Sequence, residues 1–247
     1  MANVSAKKLI ETGAHFGHPT KRWNPKMEEY LYGSKDDIHI FDLIKTKTLL
    51  EEALDIITKA SKEGKRILLV GTKKQVKELI PEYAKKAGIF YVSERFLGGT
   101  ITNFKQIKKS IKKLADLKKG LKEGEYTDYT KKERLLLERE IDRLERFFGG
   151  IADMEDIPDL VIIVDVKREA GALKEANMKG IPSIAIVDSN VDPDGVTYPV
   201  PMNDDATSAL AYVMELIRDA VLDGKKVKGR KDEKVKEQEG EKRSKSK

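Results

Sequence analysis

Cysteine is absent from all 247 residues, which excludes disulfides, thiolate metal sites and cysteine nucleophiles. No stretch approaches the ~20 apolar residues of a membrane span, and the start, MANVSAKKLIETG, lacks the apolar run of a signal peptide. The expectation is a cytoplasmic protein. Glycine fingerprints are missing too: neither G-x-G-x-x-G nor G-x-x-x-x-G-K-[ST] follows the apolar run RILLVG, where a nucleotide-binding protein places its phosphate loop. No Ser-His-Asp or lysine-centred set emerges around Ser34, Ser93, Ser189 or the three histidines, so catalysis has no candidate.

Charge is abundant, at 36% of residues, and unevenly placed. Residues 225–247 hold eleven Lys/Arg against five Asp/Glu, which accounts for the whole net charge of +6. Within the neutral remainder, Asn103 to Lys122 has eight lysines against Asp116 alone, while Gly149 to Gly224 has five basic and fifteen acidic residues. A molecule polarised in this way presents phosphate contacts on one side and meets basic protein partners on the other.

Short apolar runs alternate with amphipathic segments. RILLVG, IFYV, LVIIVD, SIAIVD and TYPV read as strands; the segments after Thr46, Lys74, Arg168 and Asp205 read as helices, and IHIFDL reads as a further strand. This alternation predicts βαβ units and a parallel sheet. It is broken once, by residues 103–148, where Phe104, Ile107, Ile111, Leu114, Leu117 and Leu121, then Leu137, Ile141, Leu144 and Phe148, recur at helical steps. Asn103 with Gln106, and Thr130 with Glu133, have capping-box spacing. The expected organisation is a discontinuous α/β body (1–102 and 149–224), an inserted helical hairpin reaching roughly 30 Å (103–148), and a charged tail (225–247) with only two valines to bury, predicted disordered.

Candidate phosphate contacts follow from residue type and setting. Lys21, Arg22 and Asn24 stand on a proline-braced loop with Trp23 beside them; Lys73 and Lys74 open a helix. In SERFLGGTITNF, Gly98 and Gly99 let the backbone approach a phosphate ridge, with Arg95, Thr100 and Asn103 as donors. Lys105, Lys108, Lys109, Lys112 and Lys113 form a basic helix face in which acids are nearly absent, although i,i+4 Glu partners would stabilise an isolated basic helix. His15 and His18 are three apart, but Pro19 removes the helix on which that spacing matters. Asp165 and Asp188 end strands at the ligand edge of a parallel sheet; His18, Asp188, Asp204 and Asp205 together have the donors for a structural zinc or magnesium ion, while no cofactor is required.

TGAHFGHPTKRWNPKM, DIHIFDLIKT, LLVGTKKQ, FLGGTITNFKQI and the long block from PDLVIIVD to MNDDA, together spanning about Val4 to Leu222, resemble the family of the second protein of the bacterial small ribosomal subunit. The resemblance implies a flavodoxin-like (Rossmann-like) α/β fold: a parallel five-stranded sheet with an inserted antiparallel coiled-coil hairpin. It also implies a structural, non-enzymatic role between head and body of the small subunit, contacts to small-subunit rRNA and other small-subunit proteins, and recruitment of the large first protein. Phe96 stands where the family more often has Trp. The competing reading is a nucleotide- or phosphate-binding α/β enzyme with a helical arm, which needs tight nucleotide binding.

Overall fold

A computed structural model describes residues 4–245, with side chains through residue 228. Its centre is a five-stranded, all-parallel sheet in the order β5-β4-β6-β7-β8, formed by β4 (Ile67–Val70), β5 (Phe90–Val92), β6 (Leu160–Val164), β7 (Ser183–Val187) and β8 (Tyr198–Pro201). These are the five runs expected, and the continuous apolar character of β4, β6 and β7 reflects burial on both faces.

Side chains divide between the faces with a period of two. Ile67, Leu69, Leu160, Ile162, Val164, Ile184 and Ile186 point into one core with α1 (Ala6–Glu11), α2 (Leu43–Glu63), α3 (Leu79–Ala87) and the first part of α7 (Thr207–Lys245). Leu68, Val70, Val161, Ile163, Ala185 and Val187 point into the other, against α6 (Ala170–Met178) and the base of the arm. Local signals start and stop these helices. Ser5 accepts from Lys8 N at 3.4 Å, Asp42 accepts from Ile44 N at 3.0 Å, and Gly64 and Gly88 end α2 and α3 in the left-handed conformation.

IHIFDL does contain a strand, β3 (Ile38–Phe41), but outside the parallel sheet. It is the middle of a three-stranded antiparallel sheet with β1 (Phe16–Pro19) and β2 (Leu31–Lys35). Neither FGHP nor LYGSK carries an alternating apolar pattern, which is why periodicity missed both. Asp36 and Asp37, at φ of 51° and 60°, make the tight turn from β2 to β3.

The arm is α4 (Phe104–Glu123) and α5 (Lys131–Phe148), packed together. Phe104, Ile107, Ile111 and Leu114 meet Ile141, Leu144 and Phe148 in a cluster continuous with the sheet, so the base of the arm shares the core of the body. Toward the tip, Leu121, Leu135 and Leu136 are exposed. Thr130 and Glu133 form the expected capping box, with Thr130 N donating to Glu133 at 2.8 Å. Asn103 does not: its side chain makes no cap bond, because backbone turns from Gly99 O to Asn103 N and from Asn103 O to Gln106 N already start α4.

The sequence predicts a disordered tail at residues 225–247. The backbone of α7 continues as helix to Lys245, and residues 246–247 lie outside the described part. Lysine, glutamate and glutamine are good helix formers, so a helix already nucleated on the body extends at little local cost even with no apolar face to bury.

Candidate nucleic-acid interface

Strands of the parallel sheet end together at one edge, and several of the candidate residues collect there. His18, on β1, turns inward: its Nδ1 lies 2.9 Å from Asp188 Oδ1 and its Nε2 3.8 Å from Asp205. Asp188 is almost fully buried and also accepts from Asp204 N at 3.1 Å. The hydrogen bond to Asp188 raises the imidazole above its ordinary value. Burial pushes the Asp188 carboxyl up, but the hydrogen bond and charge of His18 outweigh it and hold it down.

The four expected metal donors are thus neighbours, yet a cation of the chain's own sits among them. Lys73 Nζ lies 2.6 Å from Asp204, 2.6 Å from Asp205 and 3.4 Å from Asp165. Among the described residues no set of three or more His, Asp or Glu side chains is arranged to hold a metal ion. Burial, with Asp188 and Asp165 nearby, pushes Asp204 up to about 7 in spite of Lys73. Lys73 is therefore not the open phosphate contact that its place at a helix start suggested; Lys74 is exposed.

The amide of Thr72, where a phosphate loop begins, is likewise taken. Thr72 N donates to Glu169 Oε1 at 2.9 Å, its hydroxyl donates to the same oxygen, and Arg168 Nε reaches that hydroxyl at 3.0 Å. Glu169 is 3% exposed, and burial raises its carboxyl above the ordinary value. The site in which the competing enzyme reading would seat a phosphate is thus closed by a carboxylate.

The Gly-Gly corner repeats this arrangement. Gly99 N, Ile101 N and Thr102 N point at one carboxylate, Glu175, at 2.6, 2.9 and 2.9 Å, and Thr102 Oγ1 adds a fourth bond at 3.1 Å. Burial pushes Glu175 up, but these donors outweigh it and hold the carboxyl below its usual range. Gly99 needs its glycine for a φ of +90°. Thr100 is 2% exposed and donates to Leu97 O at 2.6 Å, so it corrects to a core residue. Gly98 faces open space, and Arg95 and Asn103 are exposed. Phe96 is partly buried against the core beside Gly171, which accounts for its role by packing.

In the opening loop, Lys21 and Arg22 are exposed on a short 3-10 turn. Asn24 caps the next turn, accepting from Lys26 N at 3.0 Å while its own N–H donates to Ser189 O at 2.8 Å, so its oxygen is committed to the fold. Trp23 is half-buried with its ring 4.8 Å from that of His39. His15 and His39 each keep one buried ring nitrogen without a partner among the described residues.

The lysine face of α4 is only partly uncompensated. Its missing acids are supplied across the arm: Lys113 pairs with Glu140 at 3.1 Å and Lys118 with Glu145 at 2.7 Å, while Lys119 pairs with Glu123. Lys108 donates to Glu155 O at 3.1 Å. Lys105, Lys109 and Lys112, spaced by four and three residues along one exposed stripe, have no acidic partner among the described residues. Sequence spacing gave no hint of Glu169 and Glu175, whose partners lie 97 and at least 73 residues away.

Comparison with known proteins gives a consistent result. Residues 9–224 match the family described as "Ribosomal protein S2". The chain is 48% identical to the "Small ribosomal subunit protein uS2" of a Nitratiruptor species over 91% of its own length and 84% of the relative's. It is 48% identical to the protein of the same description from Dictyoglomus thermophilum over 91% and 92%, and to that of Brucella anthropi over 91% and 87%.

Proposed function

The chain belongs to the ribosomal protein S2 family, and from this premise we propose that it works as a structural protein of the small ribosomal subunit that holds rRNA through the exposed stripe of α4. It is not an enzyme, and it acts bound to ribosomes in the cytoplasm with rRNA and other ribosomal proteins as partners. The observation that carries the rRNA reading is the set Lys105, Lys109 and Lys112, which lacks acidic partners among the described residues although α5 supplies them to Lys113 and Lys118. Lys21, Arg22, Lys74 and Arg95, exposed on the loops of the body, are further candidate phosphate contacts. Phosphate contacts position a protein on RNA and make its binding salt-dependent.

Placement between head and body of the subunit, and help in recruiting the large first protein, are the finer parts of this proposal. Residues 149–224, with fifteen acids to five bases, suit contact with protein rather than phosphate. Replacing Lys105, Lys109 and Lys112 by Gln tests the RNA contact. The slope of log K against log salt for small-subunit rRNA should fall by roughly 0.7 to 0.9 for each lysine–phosphate pair removed, and an unchanged slope overturns it.

At the acidic edge, a zinc or magnesium ion bound by His18, Asp188, Asp204 and Asp205 has to displace the Lys73 ammonium. Elemental analysis of protein purified without chelator, beside His18→Ala, decides the matter: metal in the parent and loss in the variant supports the ion, and none in the parent rejects it.

A further inference from the structure

We propose that the opposite edge of the parallel sheet, where the chain leaves the body into its charged tail, is a second polyanion site that takes the phosphate backbone of single-stranded RNA. Strands begin at this edge. Two cavities open there, of about 220 and 320 Å³, and Lys65 lines both. Lys59 stands in the smaller, and Arg66, Lys225 and Lys228 in the larger.

Two of these five cations are neutralised: Lys65 by Glu63 at 2.6 Å and Arg66 by Asp159 at 3.1 Å. Lys225 and Lys228 have no acidic partner among the described residues, whereas the smaller cavity also holds Glu63 and Asp159, and Glu63 feels the charge of Lys59 four residues before it. Lys225 Nζ donates to the carbonyls of Ala87 and Gly88, both at 2.8 Å, at the end of α3. The ammonium of Lys228 lies beside Gly64 at the end of α2. A helix C-terminus offers only about half a negative charge, so the two ammonium groups resting there remain largely uncompensated. Desolvation accordingly lowers Lys225 below the ordinary lysine value.

An extended strand of phosphates can meet cations spread over two adjoining cavities, whereas one small anion fills only one. Lysine serves phosphate as a point charge, and Tyr198, half-buried in the smaller cavity, offers a ring to a base. Residues 225–247, with eleven basic and five acidic residues, continue the positive charge away from the edge. An acidic peptide would meet the same lysines, but not the ring; the ribonucleoprotein setting on which this inference rests also favours RNA. Lys225 and Lys228 lie beyond residue 224, where the family match ends.

The test uses the full chain and a short fluorescein-labelled oligouridylate, with anisotropy followed against salt. Lys225→Gln combined with Lys228→Gln should reduce the slope of log K against log salt by roughly 1.4, about 0.7 for each lysine–phosphate pair removed. Because Lys225 also caps α3, Lys59→Gln, which touches no helix end, is a second variant; it should weaken binding without moving thermal unfolding. Parent slope and affinity in both variants overturn the edge site and leave the proposed role of α4 intact. Weakened binding at the edge together with an unchanged rRNA slope for the Lys105, Lys109 and Lys112 variant has the reverse meaning. Displacement of the oligouridylate by polyglutamate as readily as by unlabelled RNA overturns RNA in favour of an acidic protein.

Discussion

Lys73 and Lys109 are both lysines near the start of a helical segment, and their surroundings are opposite. Lys73 is enclosed by Asp165, Asp204 and Asp205 at the ligand edge of the sheet, while Lys109 stands on the arm with no acid beside it among the described residues. The contrast extends to the amides. The N–H groups that could bind phosphate at Thr72 and at the Gly-Gly corner are filled by Glu169 and Glu175, both from the stretch leading into and through α6. A sheet edge that in other α/β proteins receives a ligand here closes on its own side chains, and uncompensated positive charge stands elsewhere, on the arm among other places. Internal satisfaction makes the edge a matter of stability, and its absence makes the stripe on α4 a matter of binding.

Variants separate the two regions. The largest loss of stability is expected from Lys73→Met, which strands buried carboxylates: removing one partner of a buried ion pair typically costs roughly 3 to 5 kcal/mol, measurable by urea unfolding. Salt dependence of rRNA binding should be unchanged. Glu175→Ala comes next, at about 2 to 3 kcal/mol, because three backbone donors lose their acceptor in a half-buried corner.

Glu175 also gives a pH dependence with a definite sign. Its carboxyl is held lower in the fold than in the unfolded chain. The stability it contributes is therefore complete above the usual glutamate value of about 4.3 and is lost as pH falls through its lower folded value. Hydrogen-exchange protection factors at Gly99, Ile101 and Thr102 should fall in that acid window in the parent, and already be low near neutrality in Glu175→Ala.

The smallest effects belong to the arm surface. Lys118→Gln breaks an exposed pair with Glu145 and should cost at most about 0.5 kcal/mol. The triple replacement at Lys105, Lys109 and Lys112 should leave unfolding within roughly 0.5 kcal/mol of the parent, so a change in RNA binding is not a change in folding.

What the sequence made legible follows from range. Strands β4 to β8 are visible because each is a local apolar run, and Thr130 with Glu133 because a capping box spans three residues. The convergence of His18, Asp188, Asp204 and Asp205 was readable from the rule that ligand groups gather where parallel strands end. Lys73 among those carboxylates was not, since nothing local says which way a lysine at a helix start will turn. Glu175 was invisible for the same reason: a single glutamate on α6 carries no mark of the three amides it will meet. The pairing of Lys113 and Lys118 on α4 is not legible in local spacing, because their partners, Glu140 and Glu145, come from the other helix of the arm.

The central claim, that phosphate is met by the uncompensated stripe and not by the closed sheet edge, reduces to one measurement: the salt dependence of small-subunit rRNA binding by the Lys105, Lys109 and Lys112 to Gln variant beside its parent. A slope lower by roughly two to three, at about 0.7 to 0.9 for each lysine–phosphate pair, with unchanged unfolding, is the predicted result. A slope equal to the parent's contradicts the account.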